Sequence, residues 1–243
     1  MEFLRERKTA ELEELARHLN VSASTIRRDL DTLEQSGQLQ RTHGGAVLRD
    51  DPAVPPGTDL ALNRRMMEHA DQKRAIGRCA ASAVFPNMTL LLDGGSTVIY
   101  AARLITARPI QVVTNSLAIA NHFADDDQVE LLLVGGNLYP RTGVCVGPIA
   151  TGSLADLHAD LCLFSLAGIY EAEAYNINLP MAQVEQVMMR QAARSILLMD
   201  SGKFGRKSLV RVCGLDEVDQ IITDGAVPGT WIDDLGERLV VAP

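Results

Sequence analysis

Between Ser22 and Arg28 the chain sets three hydroxyls, Ser22, Ser24 and Thr25, beside two guanidiniums, Arg27 and Arg28. Arginine can donate two hydrogen bonds to a guanine edge, and small hydroxyls allow close approach to phosphates, so this is chemistry for duplex DNA. A second group lies farther on: Asp93-Gly94-Gly95-Ser96-Thr97, Thr114-Asn115-Ser116, Gly135-Gly136, Gly168 and Asp200-Ser201-Gly202-Lys203. The first string can offer a phosphate its backbone amides, two hydroxyls and the start of a helix. Each of the others, taken alone, reads first as a turn. Cys79, Cys145, Cys162 and Cys213 show no C-x-x-C spacing, and His18, His43, His69, His122 and His158 form no HxH or HExxH pair. No metal, cofactor or disulfide framework is expected, and the cysteines read as buried, reduced thiols.

The elements that position the first group are local. Leu12, Leu15, Ala16 and Leu19 recur at spacings of three and four and give one helix an apolar face. Asn20 and Val21 break it, and Ser22 stands where an N-cap is needed, its hydroxyl able to accept a backbone N–H of the next turn. In the second helix Ile26, Leu30 and Leu33 form the inward stripe. At about 100° per residue, Ser24 lies roughly 160° and Arg28 roughly 200° from Ile26, both outward, with Thr25 and Arg27 on the flanks. Gly37 is expected to stop this helix as its C′ residue. Gln38 to Arg41 then reads as a strand and Gly44-Gly45 as a turn, so that Arg41, Thr42, His43, Gly44 and Gly45 form a wing suited to backbone contact. A helical hairpin packed on another protein is the rival reading of the two helices. The glycine stop and the ribbon at close range weigh against it.

The string from Ser22 to Leu30, followed by Arg41-Thr42-His43-Gly44-Gly45-Ala46, resembles the DeoR family of bacterial transcriptional regulators, and the resemblance extends over nearly the whole chain. Family members carry a full helix before the one containing Leu12. Only Met1 to Arg7 stands in its place here, so either the start has been lost or the first helix is unusually short; Phe3 and Leu4 can still pack on Leu15 and Leu19.

The 243 residues suffice for one ordinary domain and a small one. With 47% hydrophobic and 22% charged residues, a mainly disordered chain is excluded. No apolar run approaches the ~20 residues that cross a bilayer, and no signal pattern opens the chain, which predicts a cytoplasmic protein without membrane contact. The net charge of −8 is unevenly placed: residues 1–49 hold eight basic and eight acidic side chains, leaving 15 against 23 in residues 50–243. A balanced small domain with a local cationic face still binds DNA, modestly and with strong weakening by salt; a dimer or tetramer strengthens it.

Asp50–Asp59, with three prolines and a glycine among acids, reads as a hinge-like linker dividing a winged helix-turn-helix at 1–49 from a larger α/β domain at 60–243. Thr89–Asp93, Ile110–Thr114, Val129–Val134, Leu161–Leu166, Ser195–Asp200 and Gln220–Thr223 read as strands; Lys73–Val84, Val98–Leu104, Leu117–Phe123 and Pro180–Arg194 read as helices. Such alternation calls for a mostly parallel sheet covered on both faces, in which ligands collect at the carboxyl ends of the strands. That shared position favours a ligand role for Ser96, Thr97, Asn115 and Lys203.

The DeoR resemblance implies a sensor domain folded like ribose-5-phosphate isomerase and glucosamine-6-phosphate deaminase, with a phosphorylated sugar as effector. It implies effector contacts at Asp93, Gly94, Gly95, Ser96, Thr97, Asn115, Ser116, Gly135, Gly136, Gly168 and Lys203. Departures from the family pattern are also present. Tyr170-Glu171 stands where a glycine and a threonine follow Gly168-Ile169, Met181-Ala182 replaces a Glu-Ala pair, and Glu185 replaces a basic residue, which implies an unusual or less anionic ligand. The implied function is a repressor of carbohydrate genes that binds operator DNA as a homo-oligomer, the effector changing the spacing or mobility of paired helix-turn-helix modules. Two other readings compete: an isomerase-type enzyme with Glu185 as base and Lys203 as electrostatic partner, and a module that only oligomerises. A fused DNA-reading module gives an isomerase no benefit, and pure oligomerisation leaves the Arg27-Arg28 face unexplained. No catalytic residue is assigned.

The angles on the second helix predict that Arg28→Ala weakens operator binding by about 1–3 kcal/mol and relaxes base preference, while Arg27→Ala weakens all sequences more evenly. Titrations on operator and scrambled duplexes at several salt concentrations decide it; wild-type affinity in both variants refutes the assignment.

Overall fold

The structure, a computed structural model, describes residues 9–19, 21–35, 39–41, 45–48 and 59–243. The chain divides into two compact units, Met1–Pro55 and Pro56–Pro243. In the first, strand β1 (Thr9–Glu11) runs directly into α1 (Leu12–Leu19), followed by α2 (Ala23–Gln35) and strands β2 (Leu39–Arg41) and β3 (Gly45–Leu48). β3 is the middle strand of an antiparallel sheet, opposing Gly45 to Glu11 on one side and Ala46 to Arg41 on the other. Leu15 on α1 and Ile26 and Leu30 on α2 are buried where the two helices pack. The Val21 N–H donates to the Ala16 carbonyl at 3.1 Å and closes the turn between them.

Three sequence expectations change here. Leu19, placed on the apolar face, is 54% exposed as the last residue of its helix. Gly45 belongs to β3 rather than to the turn, because it pairs with Glu11 of β1, a third strand that periodicity did not reveal. Asp59, assigned to the linker, is the first residue of a helix. The expected first helix at Met1–Arg7, the C′ residue Gly37 and the linker up to Thr58 lie outside the described residues.

The second unit opens with α3 (Asp59–Met67) and α4 (Ala70–Ala81). Next come β4 (Thr89–Leu92), α5 (Ser96–Ala102), β5 (Ile110–Thr114), α6 (Leu117–Phe123) and β6 (Val129–Leu133). A hairpin of β7 (Asn137–Tyr139) and β8 (Val144–Val146) and then α7 (Pro148–Ala155) lead to β9 (Ala159–Phe164). Strands β10 (Gly168–Tyr170) and β11 (Glu173–Asn176), α8 (Leu179–Arg190), β12 (Ala192–Leu198), β13 (Val210–Gly214), β14 (Gln220–Asp224), α9 (Gly229–Leu235) and β15 (Leu239–Ala242) follow. Seven strands form one parallel sheet in the order β6-β5-β4-β9-β12-β14-β15, and β10, β11 and β13 form a separate antiparallel sheet.

Alternation along the strands sends side chains into two cores. Leu90, Leu92, Val112, Leu161, Leu163, Ile196 and Leu198 join one core with Ile76, Ile99 and Phe123 of α4, α5 and α6. Leu91, Val113, Cys162, Phe164 and Leu197 join the other with Leu154 of α7 and Val184 and Met188 of α8. Burial on both faces explains the unbroken apolar runs. The helix expected over Pro180–Arg194 ends at Arg190, and β12 starts at Ala192 and ends at Leu198, short of the expected Asp200. Ala-Ala-Arg favours helix by propensity, but parallel pairing of Ala192–Leu197 with Ala159–Phe164 overrides it. Among the described residues no helix is long and apolar enough to cross a membrane.

α4 crosses α5 at Gly77, where a Cβ would stand 2.9 Å from the Ala101 nitrogen and the Tyr100 carbonyl carbon. Both are backbone atoms and cannot rotate away. Gly77→Ala is therefore expected to destabilise by about 1–3 kcal/mol, whereas Gly152→Ala in α7, where nothing lies within 4 Å of the added carbon, leaves stability equal or higher. Denaturant titration of both variants tests this contrast.

Candidate functional site

In the parallel sheet the chain moves outward from β4 through β5 to β6, then returns to place β9, β12, β14 and β15 on the other side of β4. The direction of winding reverses between β4 and β9, and a crevice opens outside their carboxyl ends. Asp93 follows β4 and Ser165 follows β9. The Asp93 Oδ2 accepts from the Gly95 N–H at 3.0 Å and the Ser165 N–H at 3.4 Å, so one carboxylate joins the two loops. Gly94 is required by close approach: a Cβ there would lie 2.1 Å from Val144 Cγ1 and 3.2 Å from Ser116 Cβ. The expectation that the Gly95 amide greets a ligand is corrected, since Asp93 already engages it.

Gly95 serves as N-cap of α5, and Ser96 and Thr97 are buried in its first turn. Thr97 Oγ1 has no hydrogen-bond partner. At the end of β5, Thr114 Oγ1 donates to the Leu92 carbonyl at 2.6 Å and accepts from the Ser116 N–H at 3.1 Å. Ser116 Oγ accepts from the Ile119 N–H at 3.4 Å and caps α6. Asn115 is pinned to the hairpin, its Nδ2 donating to the Cys145 carbonyl at 2.9 Å, and its Oδ1 is left without a partner.

Lys203 ends a one-turn 3₁₀ segment after β12. Its Nζ donates to the Leu166 carbonyl at 2.8 Å and to Ser165 Oγ at 3.2 Å, with Asp200 Oδ2 at 4.0 Å. Burial above all, with Arg65 and Lys73 adding repulsion, pulls its pKa down to about 8, against the pull of Asp200 and Asp93. Lys73 is 3% exposed, and its ammonium donates to the Arg65 and Glu68 carbonyls. Glu185 of α8 is buried, its Oε1 accepting from Asn176 Nδ2 at 2.5 Å and its Oε2 without a partner. Burial, then the neighbouring Asp93, raise the Glu185 pKa well above the ordinary 4.5. Burial likewise raises that of Asp93, despite its backbone hydrogen bonds.

The structure thus brings Asp93, Gly94, Gly95, Ser96, Thr97, Asn115, Ser116 and Lys203 to adjoining strand ends. Three glycines stand apart from them in role. Gly135 is exposed with nothing within 4 Å of an added Cβ, Gly136 turns the chain into the hairpin at φ +150° with a Cβ position 2.8 Å from the Val146 carbonyl oxygen, and a Cβ on Gly168 would stand 2.2 Å from the Arg206 carbonyl oxygen. The last two reflect packing of backbone on backbone. Sequence reading missed Ser165, because β9 was extended to Leu166, and missed Arg65 and Lys73. Lys73 was detectable: it shares the helical stripe of Ile76, Gly77 and Ala80, all buried.

In the first unit Ser22 caps α2, its Oγ accepting from the Thr25 N–H at 3.2 Å and lying 2.8 Å from both Ser24 Oγ and Thr25 Oγ1. Ser22, Ser24, Thr25, Arg27 and Arg28 are exposed. Arg41 and Gly45 lie in β2 and β3; Thr42, His43 and Gly44 fall outside the described residues.

Because Glu185 binds its proton more tightly when folded, its contribution to stability is complete below about pH 4.5 and is lost as pH rises through the raised value. Glu185→Gln is expected to match wild type near the low end and to become the more stable protein as pH rises, by up to about 1.4 kcal/mol per pH unit for one proton. Melting curves at a series of pH values test it. A variant that becomes less stable than wild type as pH rises would show an ionised, paired Glu185.

The DeoR-like helix-turn-helix domain matches residues 1–51, and the DeoR C terminal sensor domain matches residues 68–225. The chain is 35% identical over 213 residues to the L-fucose operon activator of Escherichia coli strain K12, covering 87% of each. It is 31% identical over 238 residues to the HTH-type transcriptional repressor GlcR of Bacillus subtilis, covering 98% of this chain and 90% of that one. Among solved structures, ribose 5-phosphate isomerase A from Methanocaldococcus jannaschii superposes with a TM-score of 0.40 at 15% identity, over 56% of this chain and 55%, about half, of the isomerase. This chain belongs to the DeoR family of transcriptional regulators.

Proposed function

We propose that the protein is a cytoplasmic repressor of carbohydrate genes, released by a phosphorylated sugar bound where β4 and β9 diverge. The observation that carries this reading is Lys203, a half-buried cation held at that crevice by Ser165 and the Leu166 carbonyl, with Arg65 and Lys73 within electrostatic reach. Ser96 and Thr97 supply hydroxyls beside it, and Asp93 and Asn115 supply acceptors for sugar hydroxyls. The sugar theme is supported by the L-fucose operon activator among the relatives. The exposed Ser24, Thr25, Arg27 and Arg28 on α2, with Ser22 at its cap, are the proposed DNA contacts, together with Arg41, Thr42, His43, Gly44 and Gly45. Exposed Leu132 and Leu133 on the edge strand β6, with Leu138 on β7, suit assembly of a dimer or tetramer.

Turnover is not part of the proposal. An isomerase reading needs Glu185 ionised beside Lys203, whereas burial and Asp93 oppose its ionisation and Lys203 turns to Ser165 and Leu166.

A thermal-shift screen of sugar phosphates identifies the effector through ligand stabilisation of the native state. With the best ligand, Lys203→Ala is expected to weaken binding by about 2 kcal/mol and Ser96→Ala by about 1 kcal/mol, since the lysine bond is charge-assisted. Calorimetry measures both. Unchanged affinity in Lys203→Ala places the effector elsewhere.

A further inference from the structure

We propose that the site discriminates among phosphorylated sugars in favour of those bearing a free amino group, with Asp93 and Glu185 receiving the ammonium. This rests on the phosphosugar reading above. The first ground is a mismatch of donors and acceptors. Glu185 is 1% exposed and Asp93 3% exposed, yet neither is hydrogen-bonded by a cation among the described residues. Lys203 is turned to Ser165 Oγ and the Leu166 carbonyl, and Lys73 to the carbonyls of Arg65 and Glu68. Asp200 lies beside Lys203 instead.

The second ground is that three site residues carry buried polar atoms without partners among the described residues: Glu185 Oε2, Asn115 Oδ1 and Thr97 Oγ1. Asn115 Oδ1 can only accept, and Glu185 Oε2 becomes an acceptor once its proton leaves, so a donor-rich ligand satisfies both. A ligand hydroxyl brings one donor and no charge; an ammonium brings three donors and the charge that a buried carboxyl pair lacks. Charge complementarity then sorts a single ligand, with its phosphate toward Lys203, Arg65 and Lys73 and its ammonium toward the carboxyls.

Glu185 faces Asp93, Arg65 and Lys203, and the thiols of Cys162 and Cys213 lie in the same surroundings. Burial and Asp93 keep a proton on Glu185 when the site is empty. An arriving ammonium takes over the proton's role, so binding releases it.

Calorimetry on the full chain with glucosamine 6-phosphate, galactosamine 6-phosphate, glucose 6-phosphate, galactose 6-phosphate and N-acetylglucosamine 6-phosphate tests this. Run at about pH 6, in two buffers of different ionisation enthalpy, it also counts protons. The expected result is at least about ten-fold tighter binding of an amino sugar phosphate than of its hydroxyl and N-acetyl counterparts, with more protons released than by those counterparts, which share the phosphate ionisation near about pH 6. Glu185→Gln is expected to reduce the preference to within about three-fold while hexose 6-phosphates still bind. Equal binding by all five ligands with equal proton release overturns amine selection and leaves the phosphosugar reading standing. Binding by none of them overturns both. If Glu185→Gln does not fold, the difference in proton release between amino and hydroxyl ligands on wild type decides the question.

Discussion

A carboxylate buried between diverging parallel strands must find its hydrogen bonds in the loops of those same strands, and Asp93 finds them in Gly95 and Ser165. Much of the site follows from this. For both amides to reach one oxygen, the loops after β4 and β9 must nearly touch, and a Cβ on Gly95 would stand 2.7 Å from Ser165 Cβ. With Ser165 so placed, its hydroxyl becomes an acceptor for Lys203 at 3.2 Å, which brings the loop after β12 into the same crevice. Three strand ends are therefore connected through one acid, one serine and one lysine. The polar loops are fixed by one another, and only secondarily by the sheet.

The arrangement concentrates charge in a region that water barely reaches, and the two signs resolve that cost differently. Lys203 and Lys73 keep their charge by donating to carbonyl and hydroxyl oxygens, dipoles that stabilise an ammonium without neutralising it. Glu185 has Asn176 as its one hydrogen-bond donor among the described residues and Asp93 as a like-charged neighbour, so burial and Asp93 favour its protonated form. Lysines bonded to carbonyl and hydroxyl oxygens beside a Glu185 whose Oε2 has no partner among the described residues leave the site asymmetric.

What could be read from the sequence depended on range. Ser22 as N-cap and Ile26 and Leu30 as an inward stripe are decided within a few residues, and α2 shows them as expected. The parallel strands were legible for a different reason: burial on both faces makes them apolar without interruption. β10, β11 and β13 carry no such mark. They are short, they include Glu173 and Arg211, and they exist because distant segments pair, as Ala174 does with Cys213. The site divides along the same line. A glycine after a strand is ambiguous between ligand approach and backbone packing, and Gly168 is settled only by Arg206, far along the chain. Lys73 shares a buried helical stripe that periodicity can show, but nothing nearby in sequence announces that α3 ends over it.

That last contact bears on how the second unit holds its first helix. α3 ends in carbonyls that no helical N–H can reach, and the Lys73 ammonium satisfies those of Arg65 and Glu68 while the Tyr100 hydroxyl takes that of Met66 at 3.0 Å. The Arg64–Glu68 pair on the same helix is largely exposed and contributes little by comparison. Charge-assisted bonds to buried carbonyls are worth about 1.5–3 kcal/mol each. A ligand shifts a conformational balance only by its differential affinity for the two states, and a ten-fold response needs about 1.4 kcal/mol. Lys73 is within the field of Lys203 and Asp200, so the cation that caps α3 and the cation at the crevice feel the same added charge. Rearranging one Lys73 bond is therefore of the magnitude that a ten-fold response of α3 needs.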